Sequence, residues 1–164
     1  MQDLQPRLDR FDARFTEWMA DHGILILRLS LGTIFLWFGV LKFFPALSPA
    51  ESLAGQTIAT LSGGLVSPEL AVPVLAAWES LIGLGLLTGV LMRGTLFLLW
   101  LQMAGTITPL FLFPEQCFEA IPYAPTLEGQ YIIKNLVLIS AGIVIGATVR
   151  GGRLIASPDS RESA

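Results

Sequence analysis

The sequence predicts an all-α integral membrane protein, a four-helix transmembrane bundle with an N-terminal amphipathic interfacial helix. Three observations predict it. Charged residues make up only 14% of the 164-residue chain and hydrophobic ones 53%, with a mean hydropathy of +0.66; ordinary soluble domains are about 25% charged. The apolar residues gather in four runs near the ~20 residues a helix needs to cross the hydrocarbon core. Lys and Arg also divide unevenly between the connecting segments, as topology in a membrane requires.

The first 22 residues form the first element. Leu4, Leu8, Phe11, Phe15, Trp18 and Met19 recur at helical spacing, with Arg and Asp on the other face. The pattern fits a helix lying on the cytoplasmic leaflet, and equally one packed beneath the bundle or docked on a partner. Mixed acidic and basic residues, with no short apolar core before a small-residue cleavage site, do not read as a signal peptide.

The transmembrane bundle is expected over 23–149, with spans at about 23–44, 70–92, 94–113 and 131–149, and 150–164 as a cytoplasmic tail. Only Arg93 separates the second and third spans, which predicts a tight helical hairpin. Between the first two spans, Ser48-Pro49-Ala50-Glu51 has capping-box spacing with proline at the first helical position. A short helix is expected from there to about Leu61, ended by Ser62-Gly63-Gly64. The segment PEQCFEAIPYAPTLEGQ between the last two spans combines prolines, aromatics and carboxylates, and reads as a contact surface or as a set of interfacial anchors.

Arg7, Arg10, Arg14, Arg93, Arg150, Arg153 and Arg161 all fall on one side of such a chain. The other side carries Glu51, Glu69, Glu115, Glu119 and Glu128, with Lys42 and Lys134 at its margins. The positive-inside rule then expects both termini of a multi-pass membrane protein in the cytoplasm. One cysteine, Cys117, and one histidine, His22, exclude a C-x-x-C pair, an internal disulfide, a cysteine–histidine zinc set and a C-x-x-C-H haem site. No metal site and no cofactor motif is evident, so any electron-transfer role needs a borrowed cofactor.

Polar residues inside spans are costly and therefore informative. On a helical wheel, Arg28, Gly32, Phe35, Gly39 and Lys42 share an arc of the first span, and Val72, Ala76, Glu79, Gly83 and Val90 one of the second. Thr95, Gln102, Thr106 and Pro109 share a face of the third, and Asn135, Gly142 and Gly146 one of the fourth, with Lys134 a step round. These stripes are expected to converge on the bundle interior. Gly32, Gly39, Gly83 and Gly142 are the candidate helix-packing positions, where small residues let backbones approach. Arg28, Glu79, Gln102, Lys134 and Asn135 are the candidate ligand-binding groups. Counting rise along each span, Lys134 and Arg28 both lie roughly 10 Å of height from Glu79. The flexible stem of Lys134 makes it the expected partner of Glu79, with Arg28 next, while Lys42 is expected to snorkel to water. The same residues fit a buried ion pair that only fixes helix register, and cross-helix hydrogen bonding suffices for Gln102 and Asn135. Trp78 is expected to face lipid or a neighbouring helix.

The strings R-L-S-L-G-T-I-F-L-W-F-G-V-L-K, W-E-S-L-I-G-L-G-L-L-T-G-V-L-M-R and G-Q-Y-I-I-K-N-L-V-L-I-S-A-G resemble the DoxX family of small membrane proteins, over about residues 24–149. The resemblance implies a four-helix integral membrane protein. It maps the family's recurrent positions onto Arg28, Gly32, Phe35, Gly39, Lys42, Glu79, Gly83, Gly89, Lys134 and Asn135, the last often an aspartate in relatives. Some members are similar to the small subunit of thiosulfate:quinone oxidoreductase, and others are associated with membrane oxidoreductase assemblies and oxidative-stress resistance.

Membership in such a family does not make an enzyme, and the residues leave three functions open. The first is a redox-associated subunit binding a quinone or another apolar ligand in its polar interior. The second is a non-catalytic anchor or assembly protein for an oxidoreductase or stress-response complex, and the third a small transporter. The partners expected are the lipid bilayer, proteins of a membrane redox complex and further copies of the chain, with no nucleic acid.

Overall fold

The computed structural model describes residues 5–44 and 51–156. The described residues are mostly helical, and four of their helices are long and apolar enough to cross a membrane. Helix α1 (Gln5–Leu41) is followed by a short α2 (Glu51–Leu61), then α3 (Pro68–Thr88) and α4 (Met92–Ile107). Two single-turn helices, α5 (Pro109–Leu112) and α6 (Pro114–Cys117), lead into a small antiparallel pair, β1 (Phe118–Ala120) and β2 (Ala124–Pro125), and α7 (Leu127–Thr148) closes the bundle.

Helix α1 differs from expectation. It runs unbroken for 37 residues, about 55 Å at ~1.5 Å per residue, well beyond a hydrocarbon core of about 30 Å. No proline interrupts it near residue 22, and the one glycine there, Gly23, is too weak a breaker to end it. The amphipathic segment expected as a separate interfacial helix is thus the opening part of α1. Within it the rings of Phe11, Phe15, Trp18 and His22 stack in series, with centroids 6.3, 6.1 and 5.1 Å apart, and the three aromatic residues remain exposed. Leu4 lies outside the described residues, as do Ser48-Pro49-Ala50 and Arg161.

Neighbouring spans are antiparallel. Gly32 of α1 sits against Leu86 and Leu87 of α3, and Gly39 against Ser80. Trp78 of α3 donates from Nε1 to the Leu98 carbonyl of α4 at 3.1 Å, and Gly142 of α7 packs on Leu99 and Trp100. The bundle therefore has a terminal end, with the start of α1, the α3–α4 turn and the end of α7, and an opposite loop end. Left-handed residues at Gly89 (φ 75°) and Leu91 (φ 52°) make the α3–α4 reversal in three residues; it begins after Thr88, so Val90 sits exposed in the turn rather than on the inner stripe.

The core along the spans is Leu31, Phe35, Ile82, Leu86, Leu96, Leu99, Met103, Ala141 and Ile145. Large apolar residues such as Trp37, Phe97 and Val137 point outward and stay exposed, a surface that a bilayer covers and water would not. At the loop end, α2 terminates in a Schellman motif: Gly64 N–H donates to the Ala59 carbonyl at 2.8 Å and Gly63 N–H to that of Thr60 at 3.1 Å. The α2 segment packs over α3, where Gly55 meets Pro68. Leu53, Cys117 and Ile132 form a second small core beneath this cap. Pro109 has no N–H to continue the α4 ladder, so the third span turns at Thr108 before α5.

Candidate functional site

Three side chains from three spans meet near the loop end of the bundle. The Lys42 ammonium, one residue past α1, lies 2.7 Å from Glu79 Oε2 on α3. Gln102 on α4 donates from Nε2 to Glu79 Oε1, also at 2.7 Å. Both carboxylate oxygens are thus occupied, and the ion pair is nearly sealed, with side-chain exposures of 13% and 11%.

The close approach of α1 to α3 makes this possible. A Cβ on Gly39 would fall 2.7 Å from the Ser80 amide nitrogen and 2.9 Å from Glu79 Cβ, and one on Gly83 would collide with the Leu36 backbone. Glycine at both positions lets the two backbones touch, and Lys42, one turn beyond Gly39, is carried to Glu79.

This corrects the expected pairing of Glu79 with Lys134. Helical side chains lean toward the N-terminus of their own helix. In α1 that direction is inward from the loop end, so Lys42 descends toward Glu79; in α7 it is outward, so Lys134 rises away. Lys134 is exposed, its ammonium 5.8 Å from the centroid of Tyr131, one turn earlier in α7. Arg28 leans the other way, toward the terminal end. There its Nη1 donates to the Leu86 carbonyl at 2.9 Å, satisfying one of the free carbonyls at the end of α3. A Cβ on Gly89 would strike that guanidinium. Arg28 lines a separate cleft with Asp21 and Arg153 and does not reach the Glu79 cluster.

Beside the Lys42–Glu79–Gln102 cluster lies a cavity of about 670 Å³, within the range of small-molecule sites. Its walls are mostly apolar: Phe35 and Phe38 of α1, Leu53 and Ile58 of α2, Leu75 and Trp78 of α3, Met103 of α4, and Tyr131 and Leu138 of α7. The polar lining comprises Lys42, Glu79, Gln102, Thr57, Thr106, Glu128, Lys134 and Asn135. Four of the five candidate ligand-binding residues therefore share one cavity, and Arg28 stands apart. Trp78 meets both a neighbouring helix and the cavity. The part played by α2 was not anticipated from the sequence; its cue is Leu53, Thr57 and Leu61 recurring on one face of a segment too short to span.

The DoxX family model matches residues 23–114, more than half of the chain. The chain belongs to the DoxX family. The matched DoxX region holds α1 from Gly23 onward, α2, α3, α4 and α5, and so the whole Lys42–Glu79–Gln102 cluster. Lys134 and Asn135 on α7 lie beyond it. No curated protein and no solved structure is significantly similar to this DoxX chain. Among the described residues, no group of three or more His, Cys, Asp or Glu side chains is placed to hold a metal ion. Cys117 at the loop end is fully buried; burial, and then the carboxylates of Glu115 and Glu128, push its thiol pKa up.

Proposed function

We propose that this DoxX protein is a redox-associated membrane subunit that binds a quinone or a similar apolar ligand in the interior cavity, and that electrons reach the ligand from a partner protein. The observation that carries the reading is the cavity itself, a largely apolar space of about 670 Å³ whose polar lining includes the Lys42–Glu79–Gln102 cluster. Its walls suit a planar ring or an isoprenoid-like tail, and Asn135, whose side chain has no hydrogen-bond partner among the described residues, has an amide available to a ring oxygen, to which it can donate or from which it can accept. The test is mass spectrometry of lipid extracted from protein purified in mild detergent, run alongside Ala54→Phe, which places a ring in the cavity from α2. Stoichiometric quinone in the wild type, lost in a folded Ala54→Phe protein, supports the reading.

A second reading, an anchor or assembly protein for an oxidoreductase or stress-response complex, is favoured by the exposed, stacked Phe11–Phe15–Trp18 row on an α1 longer than a bilayer requires. Absence of quinone from both proteins selects this reading. The distribution of Arg93, Arg150 and Arg153 at the terminal end supports placing that end in the cytoplasm of a bacterial inner membrane.

A further inference from the structure

The buried polar atoms of the cavity wall are unevenly satisfied. Its buried donors are engaged, while Lys134 and Asn135 carry their donors on exposed and half-buried side chains. Lys42 Nζ donates to Glu79 and, at 3.5 Å, to the Phe38 carbonyl. Trp78 Nε1 donates to Leu98 O, Thr57 Oγ1 to Leu53 O at 2.6 Å, and Thr106 Oγ1 to Gln102 O at 2.9 Å. Gln102 spends its amide N–H on Glu79, and its Oε1 is buried without a hydrogen-bond partner. The residue is only 9% exposed.

The orientation of that amide follows from the network. Glu79 is paired with an ammonium and presents two acceptor oxygens, so the amide nitrogen must face it and the carbonyl must face away. An acceptor left unsatisfied in a low-dielectric interior is costly. Ser80 Oγ, the other such atom, does not line the cavity. Among the lining residues, the unmet requirement at depth is therefore for a donor.

Resting on the ligand-cavity reading above, we propose that the ligand head bound beside Gln102 donates a hydrogen bond to Oε1. The cavity then prefers hydroxyl-bearing apolar ligands, a phenol or the reduced form of a quinone, over carbonyl or ether counterparts of the same shape. Because that oxygen is sealed from solvent, bringing a hydroxyl to it requires the amide to turn toward the cavity within the limit set by its bond to Glu79.

The test compares 4-octylphenol with its methyl ether, a redox-inert pair differing in one donor, by quenching of tryptophan fluorescence in the full chain in detergent; Trp78 lines the site. About tenfold tighter binding of the phenol is expected. Gln102→Met is expected to bring the two affinities together by weakening phenol binding, with circular dichroism of the variant showing that it is folded. Should Gln102→Met bind neither compound, Gln102→Asn, which withdraws the carbonyl by one methylene, takes its place, with a reduced preference expected. Equal affinities in the wild type would assign the oxygen to a bound water and overturn the proposal, as would a preference that persists unchanged in the folded variant. If neither compound binds the wild-type protein, the ligand-cavity reading itself fails and takes this proposal with it.

Discussion

The Lys42 ammonium lies 2.7 Å from a carboxylate oxygen of Glu79, across the close glycine contact of α1 with α3. Removing one member of a pair this buried strands the other, which typically costs about 3–5 kcal/mol, whereas removing both together is often close to neutral. Lys42→Met is therefore expected to destabilise the protein by about 3 kcal/mol, and Lys42→Met/Glu79→Gln by about 1–2 kcal/mol. Unfolding in mixed micelles measures both. A double variant as unstable as the sum of the singles would show that the two residues are not coupled.

The α1–α3 contact gives a second expectation. Gly83→Ala puts a methyl into the Leu36 backbone and should cost about 1–3 kcal/mol through overpacking. Gly94→Ala in α4 meets open space and should be neutral or stabilising by up to about 1 kcal/mol. The pair, compared by thermal denaturation in detergent, separates close approach from helix propensity.

At the terminal end, Gly89 has φ 75° and lies against the Arg28 guanidinium. Gly89→Ala suffers both strain and collision and should cost more than about 1 kcal/mol. Arg28→Met uncovers the Leu86 carbonyl, at about 1–2 kcal/mol. In the double variant the collision is gone and only the backbone strain persists, so its cost should fall below the sum of the singles.

Cys117 is fully buried, and its thiol pKa is raised by burial and by two nearby carboxylates. A raised thiol pKa means less thiolate, the reactive species, at any pH below it. Maleimide labelling at neutral pH is therefore expected to be slow in the folded protein and complete in SDS, and to quicken as pH rises. Fast labelling of the folded form would contradict the burial.

That unreactive background permits a test of the proposed orientation. Leu65 at the loop end and Leu154 at the terminal end are both exposed. In spheroplasts, a membrane-impermeant maleimide is expected to label Leu65→Cys and to spare Leu154→Cys until the cells are permeabilised. The reverse pattern would place the termini outside.

The sequence by itself determined the membrane class, the presence of four long apolar helices and the inward stripes, because length, hydropathy and the 100° repeat are local properties. It also placed Glu79, Gln102 and Asn135 on those stripes, with Lys134 a step round. The tertiary structure alone decided which charges meet. Height along a span left Lys134 and Arg28 tied as partners for Glu79 and set Lys42 aside, because it ignored the lean of each side chain toward its helix N-terminus and the close contact at Gly39 and Gly83. Those two facts bring Lys42 down to the carboxylate and carry Lys134 and Arg28 away from it. The cavity beside the pair was equally hidden, since α2 and four spans build its walls together and no single segment records the space between them.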